Sequence, residues 1–201
     1  MKEIIVESLG KSFGKMSVLE QVSLHYRSGA IHGVVGNNGA GKSTLLNCLA
    51  GYIDYTGNIE RRNIRAIGLL TANPYIFPRI TGHEFIQFCL SAKNRKADEG
   101  KMKRLNQLFD LPLNKFADEY STGMLKKLHL LALLLQQNDL LLLDEPFNGL
   151  DYLSSTYLSE LLSELKKQDT LILISSHDLG QLVKISGTIT LLEHGSAHAV
   201  R

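Results

Sequence analysis

The chain has 201 residues, 44% of them hydrophobic, enough to bury one sizeable core, so one domain with sub-parts is expected. Its formal net charge of +2 is too small to imply nucleic acid, and Arg61, Arg62, Arg65 and the group Lys93, Arg95, Lys96 read as solvated faces rather than a binding patch. Cys48 and Cys89 sit in apolar helix patterns without metal spacing and read as reduced thiols; with no signal peptide and no run near eighteen apolar residues, a soluble cytoplasmic protein is expected.

Residues 2–8 and 17–26 alternate apolar and polar side chains, as half-exposed antiparallel strands do. Between them Lys11-Ser12-Phe13-Gly14-Lys15 reads as a turn presenting one aromatic ring. Residues 31–35 form a short apolar run expected as a buried strand, and residues 44–50 a helix ending near Gly51. Joining them is Gly36-Asn37-Asn38-Gly39-Ala40-Gly41-Lys42-Ser43-Thr44, with Gly36, Gly41, Lys42 and Ser43 in the frame of a phosphate-binding loop. Glycines let the backbone curl so that N–H groups point at phosphate oxygens, and the helix start adds about half a positive charge. Lys42 is placed to reach the β- and γ-phosphates of a nucleoside triphosphate, and the Ser43 hydroxyl to hold Mg²⁺. A glycine turn before an ordinary helix is the bland alternative, and the strand–loop–helix setting argues against it.

Tyr55-Thr56-Gly57-Asn58 reads as a turn, residues 58–70 as two short strands, and residues 72–78 as a loop with two prolines. Thr81 with Glu84 is a capping box before a helix carrying Phe85, Ile86, Phe88 and Cys89. A second helix is expected over 101–109, stopped by Leu111-Pro112-Leu113, and a third over 122–137 that is apolar almost all round and therefore buried. Strands at 140–144, 170–175 and 188–193 then alternate with helices at 152–167 and 179–185. That order implies a mostly parallel sheet covered on both faces, interrupted by the helical stretch.

The strand at 140–144 ends in Asp144, with Glu145 next, at the edge where parallel sheets bind ligands. Asp144 is placed to hold Mg²⁺ through water, and Glu145 to orient or deprotonate an attacking water. Alone, such a pair more often caps a helix; behind a phosphate loop it reads as catalytic. His177 closes the next strand at the same edge, where a lone histidine is ordinarily structural but beside a γ-phosphate can donate a hydrogen bond. His25, His32, His83, His129, His194 and His198 have no such context.

In this order the motifs resemble the ATP-binding subunit of ABC transporters over nearly the whole chain. The loop at Gly36 matches Walker A, residues 140–145 Walker B, Asn148-Gly149-Leu150-Asp151 the D-loop, and His177 the switch histidine. Tyr120-Ser121-Thr122-Gly123-Met124 looks like the signature motif that other phosphate-loop families lack. Taken by itself, Ser121 fits an ordinary helix cap.

The resemblance implies an α/β fold: a P-loop NTPase (RecA-like) core with a mostly parallel sheet, antiparallel β parts at about 1–30 and 55–66, and an inserted α-helical subdomain at about 74–137, together one domain over 1–201. It implies an Mg²⁺-dependent ATPase with catalytic Lys42, Glu145 and His177, ATP contacts from Gly36 through Thr44 and from Asp151, and metal ligands Ser43 and Asp144. Ser121 and Gly123 would grip the γ-phosphate of ATP on a second ATP-binding subunit, in a homo- or heterodimer. Phe13 would stack on adenine, though as a lone aromatic it equally fits a core position. A separate transmembrane permease would hold the chain at the cytoplasmic face of the membrane; no nucleic acid is expected. A soluble accessory ATPase and a nucleotide-gated module with weak turnover are the alternatives. Two departures stand out: Thr122 and Met124 replace the commonest signature residues, and Ala72, flanked by Thr71 and Asn73, stands where the family usually has a metal-reaching glutamine.

Overall fold

The computed structural model describes residues 1–201. In chain order its elements are β1 (Glu3–Phe13), β2 (Met16–Arg27), β3 (Ile31–Val35), α1 (Lys42–Ala50), β4 (Thr56–Arg62), β5 (Ile67–Leu70), α2 (Gly82–Ser91), α3 (Glu99–Phe109), α4 (Thr122–Leu135), β6 (Leu140–Asp144), α5 (Tyr152–Lys167), β7 (Leu171–Ser176), α6 (Leu179–Ile185), β8 (Thr188–Glu193) and β9 (Ser196–Ala199), with one 3₁₀ turn at Ala117–Glu119 before α4. The alternating N-terminal segments do pair antiparallel, in a small sheet ordered β2-β1-β4. The main sheet runs β5-β6-β7-β3-β8-β9, parallel throughout except for β9.

β6 and β7 are leucine and isoleucine runs because both faces of the sheet are covered. Leu140, Leu142, Leu171 and Leu173 pack with Leu45, Leu46 and Leu49 of α1 and with Ile4 and Leu19 of the small sheet. Leu141, Leu143, Ile172 and Ile174 turn the other way, into a core shared with Leu128 and Leu131 of α4, Leu158 and Leu162 of α5 and Leu182 of α6. Each fully buried side chain contributes about 1.5–3 kcal/mol. The strand ends that carry polar residues are thus fixed by cores on both sides.

The helical stretch lies between β5 and β6, which are neighbours in the sheet. The capping box at Thr81 and Glu84 forms. α3 starts two residues earlier than expected, because Asp98 accepts from the Lys101 N–H and caps it. Two expectations at strand positions are corrected and one strand is added. β1 runs through Phe13, so the turn expected from Lys11 narrows to Gly14 and Lys15. β4 begins at Thr56, inside the expected turn: Gly57 serves close strand pairing (φ 91°), and a Cβ there would collide with the backbone of Ser8. β9 was not anticipated; it pairs antiparallel with β8 and forms the sheet's outer strand. No helix is long and apolar enough to cross a membrane.

Candidate functional site

The loop between β3 and α1 is shaped by close approaches. A Cβ on Gly36 would collide with the carbonyl of Leu192 on β8, and Gly41 at φ 100° would place one 3.1 Å from the Val18 carbonyl. Gly41 is also the N-cap of α1 and supplies no side-chain acceptor, so the first N–H groups of that helix are left for an anion. Asn37, Asn38 and Gly39 form the exposed rim, with Ala40 and Thr44 half-buried behind them. Lys42 is only 6% exposed; its ammonium donates to the carbonyls of Gly36 at 2.7 Å and Asn37 at 3.1 Å and lies 3.7 Å from Glu145 Oε1.

Across the edge, Ser43 Oγ donates to Asp144 Oδ2 at 2.6 Å. The other oxygen of Asp144 accepts from Ser175 Oγ, because the parallel register sets Asp144 opposite Ser175. Ser175 is completely buried and also receives the Glu145 N–H, on its carbonyl at 3.1 Å. Sequence reasoning missed Ser175; the only signal was a hydroxyl ending an otherwise apolar strand. Glu145 sits in the left-handed region at φ 48°. Its Oε1 lies 3.0 Å from His177 Nδ1, while its Oε2 is buried with no hydrogen-bond partner. A buried acceptor without a donor is costly unless something donates to it.

Beside the loop opens a cleft of about 520 Å³, lined by Met16, Val18, Val35, residues 36–40, His177 and the β8–β9 turn at Glu193, His194 and Gly195. Phe13 is not in that lining. It stands half exposed at the tip of the β1–β2 hairpin, with the Lys11 ammonium 5.0 Å from its ring centre, and Met16 takes the position on the cleft wall.

Ser121, Gly123 and Asp151 form a second cluster, not hydrogen-bonded to the first. Ser121 caps α4 by accepting the Met124 N–H at 3.3 Å. A Cβ on Gly123 would lie 2.8 Å from the Gly149 carbonyl, so glycine lets α4 meet the turn before α5. Asp151 caps α5 and accepts from Lys127 Nζ at 2.7 Å; that lysine, with the Ser154 N–H and hydroxyl, holds its carboxyl well below the usual carboxylate range.

A third feature is an aromatic groove of about 580 Å³ between the core and the helical insert. Tyr75, Phe77 and Phe88 meet edge to face, at 5.7 and 5.5 Å between ring centres, and all three are exposed. Thr71 and His129 also line it; burial pushes the His129 imidazole down to about 4, with the Tyr75 backbone pulling the other way. Ala72 has no polar side chain, and Asn73 makes no side-chain hydrogen bond to the carboxylate cluster.

The chain is similar in sequence and fold to known proteins. A family model described as ABC transporter matches residues 19–148. The chain is 30% identical to the bacitracin transport ATP-binding protein of Enterococcus faecalis, over 96% of this chain and 67% of that protein. It is 33% identical to the probable sulfate/thiosulfate import ATP-binding protein of Chlorella vulgaris, over 96% of this chain and 88% of that protein. Among solved structures, an ATP-binding subunit of an ABC transporter superimposes with a TM-score of 0.87 at 25% identity, covering 98% of this chain and 90% of that one. A dimeric ATP-binding cassette in a post-hydrolysis state, bound to ADP and Pi, shares the fold at a TM-score of 0.86 and 21% identity, covering 98% and 99%.

Proposed function

The chain belongs to the ABC transporter family of ATP-binding proteins, and from that premise we propose that it binds Mg²⁺-ATP on the β3–α1 loop and hydrolyses it with Glu145 as the base. The observation that carries this reading is the meeting of Lys42, Ser43, Asp144, Glu145 and His177 at one sheet edge, with Glu145 Oε2 buried and unpartnered. The residues fit the metal: the Ser43 hydroxyl and an Asp144 carboxylate oxygen lie 2.6 Å apart, and a hard divalent cation takes oxygen ligands. Ser43 and Asp144 would hold Mg²⁺ there, and when bound it would neutralise charge on the phosphoryl oxygens.

The chain's own groups do the rest. Residues 36–41 and the start of α1 offer N–H donors to the phosphates, and Lys42 exchanges its loop carbonyls for phosphate oxygens. Glu145 takes a proton from water as the water oxygen bonds to the γ-phosphorus and the bond to the β–γ bridging oxygen breaks, giving ADP and phosphate. His177, beside Glu145, donates to the γ-phosphate.

In the same reading, Ser121 and Gly123 present the N-terminus of α4 to the γ-phosphate on a second subunit, and ATP closes the pair. The aromatic groove is where a membrane-spanning partner seats, which would hold the chain at the membrane. Phosphate release from Mg²⁺-ATP by the purified chain tests the chemistry. Recovery with a multi-span protein from detergent-solubilised membranes tests the transport role; recovery with soluble proteins alone would favour an accessory ATPase. Ala72 favours a second reading, a nucleotide-gated module with little turnover. ATP binding without measurable phosphate release would select it.

A further inference from the structure

Lys126 is the single lysine of α4 buried to 5% exposure, on a helix whose other buried residues are leucines and alanine. An ammonium at such a position is costly to desolvate, and packing alone is better served by an apolar side chain. Lys126 Nζ donates to the backbone carbonyl of Glu145 at 2.8 Å. We infer that Lys126 is a positioning residue for hydrolysis, gripping the Glu145 peptide from α4 and so setting the direction of its carboxylate; this rests on the proposed role of Glu145 as the base.

The Glu145 backbone needs holding. Its φ of 48° lies in a region that side chains other than glycine enter at a cost and keep only where neighbours enforce it. One end of the residue is tied to β7, through its N–H on the Ser175 carbonyl. The other end is tied to α4, through its carbonyl on Lys126. Without the second tie the peptide between Glu145 and Pro146 is held only by the Asn148 N–H, at 3.2 Å. The next residue along α4, Lys127, grips Asp151. Two consecutive lysines therefore hold both ends of the segment from the catalytic carboxylate to the cap of α5. Ser121 lies five positions before Lys126, about 7.5 Å along the same rigid helix. A shift of the α4 start as Ser121 takes up an anion is carried by the helix to Glu145. Burial pushes the Lys126 ammonium below the usual lysine value, while the carboxylates of Glu145 and Asp144 pull the other way.

The test compares the wild-type chain with Lys126→Met, Glu145→Gln and the double variant, reading kcat for Mg²⁺-ATP and the Kd of a fluorescent ATP analogue separately. Lys126→Met is expected to lower kcat about 10- to 100-fold, in keeping with a small misplacement of a reacting group, with Kd changed less than about threefold. In the Glu145→Gln background it should change the residual rate less than about twofold, since it acts through that carboxylate. A folded Lys126→Met with wild-type kcat, or one losing kcat and ATP affinity equally, overturns the inference while leaving Glu145 as the base. Wild-type turnover in Glu145→Gln overturns both. If Lys126→Met does not fold, Lys126→Leu is judged by the same outcomes.

Discussion

At the phosphate edge, each functional side chain is gripped by another polar group: Lys42 by two carbonyls, Asp144 by two serines, Glu145 by His177 and, through its backbone, by Ser175 and Lys126. In the aromatic groove, Tyr75, Phe77 and Phe88 meet edge to face, and each shows much of its surface to solvent. On the proposed function, the difference follows from what each region would do. Phosphoryl transfer needs donors fixed where charge develops, so that none has to reorganise during the reaction. Docking needs apolar area that a partner can cover, and edge-to-face rings supply it with few constraints on direction.

The largest expected effect lies at the edge. Glu145→Gln should cut phosphate release by about 10²–10⁴ while ATP stays bound, as single-turnover assays and nucleotide filter binding would show. Lys42→Ala should instead weaken ATP itself about 100-fold by isothermal titration, because charge-assisted contacts to the phosphates are lost. If either change acted equally on binding and turnover, the division of labour within the edge would be wrong.

In the groove, the contrast sharpens on a group that must stay uncharged. His129 titrates near 4 when folded and near 6.5 when unfolded, so the unfolded chain takes up its proton first as pH falls. The stability this confers is complete above about pH 6.5 and is lost as pH falls through about 4. Urea unfolding should therefore show about 2 kcal/mol less stability at pH 5 than at pH 7 from this residue, and His129→Leu should flatten that slope. Phe88→Glu, on an exposed ring, should reduce recovery with membranes about tenfold and leave the purified chain's turnover unchanged. Loss of turnover would mean that groove and edge are not separable. The smallest effect is expected from Thr81→Ala, which removes the cap of α2 beneath the groove and should cost about 1 kcal/mol by urea midpoint, with turnover untouched.

The edge was largely legible before folding because phosphate chemistry dictates residue types at short spacing, and Gly36, Lys42, Ser43, Asp144, Glu145 and His177 stand in three short stretches of chain. Its supporting residues were not. Ser175 reaches Asp144 because β7 lies beside β6 in one register, and Lys126 reaches the Glu145 carbonyl from α4; neither neighbourhood is written in local sequence. β9 escaped notice because residues 194–199 are short on β-branched and aromatic side chains, and its pairing with β8 comes from the hairpin rather than from propensity. Gly57 was read as a turn, since a glycine needed for close strand pairing looks the same as one needed for a bend. The groove was legible only in part: α2 declared its cap, but which rings would converge depended on how the insert folds back.

The insert leaves the sheet at Leu70 and returns at Leu140, on strands lying side by side and pointing the same way. Leu70 pairs with Leu143 and Leu140 with Ile67. The two attachment points therefore lie on neighbouring strands at opposite ends of the pairing, roughly 10 Å apart along the strand direction. Same-direction neighbours can never be joined by a tight hairpin. Some long excursion is obligatory at this place in the chain, and within it α4 must still cover β6 and β7, so the freedom to vary falls to α2 and α3. The scaffold thus carries a built-in socket for exchangeable modules: a chimera that keeps β5, α4 and β6 and borrows α2 and α3 from a relative should close the same sheet, with the donor's side chains lining that part of the groove.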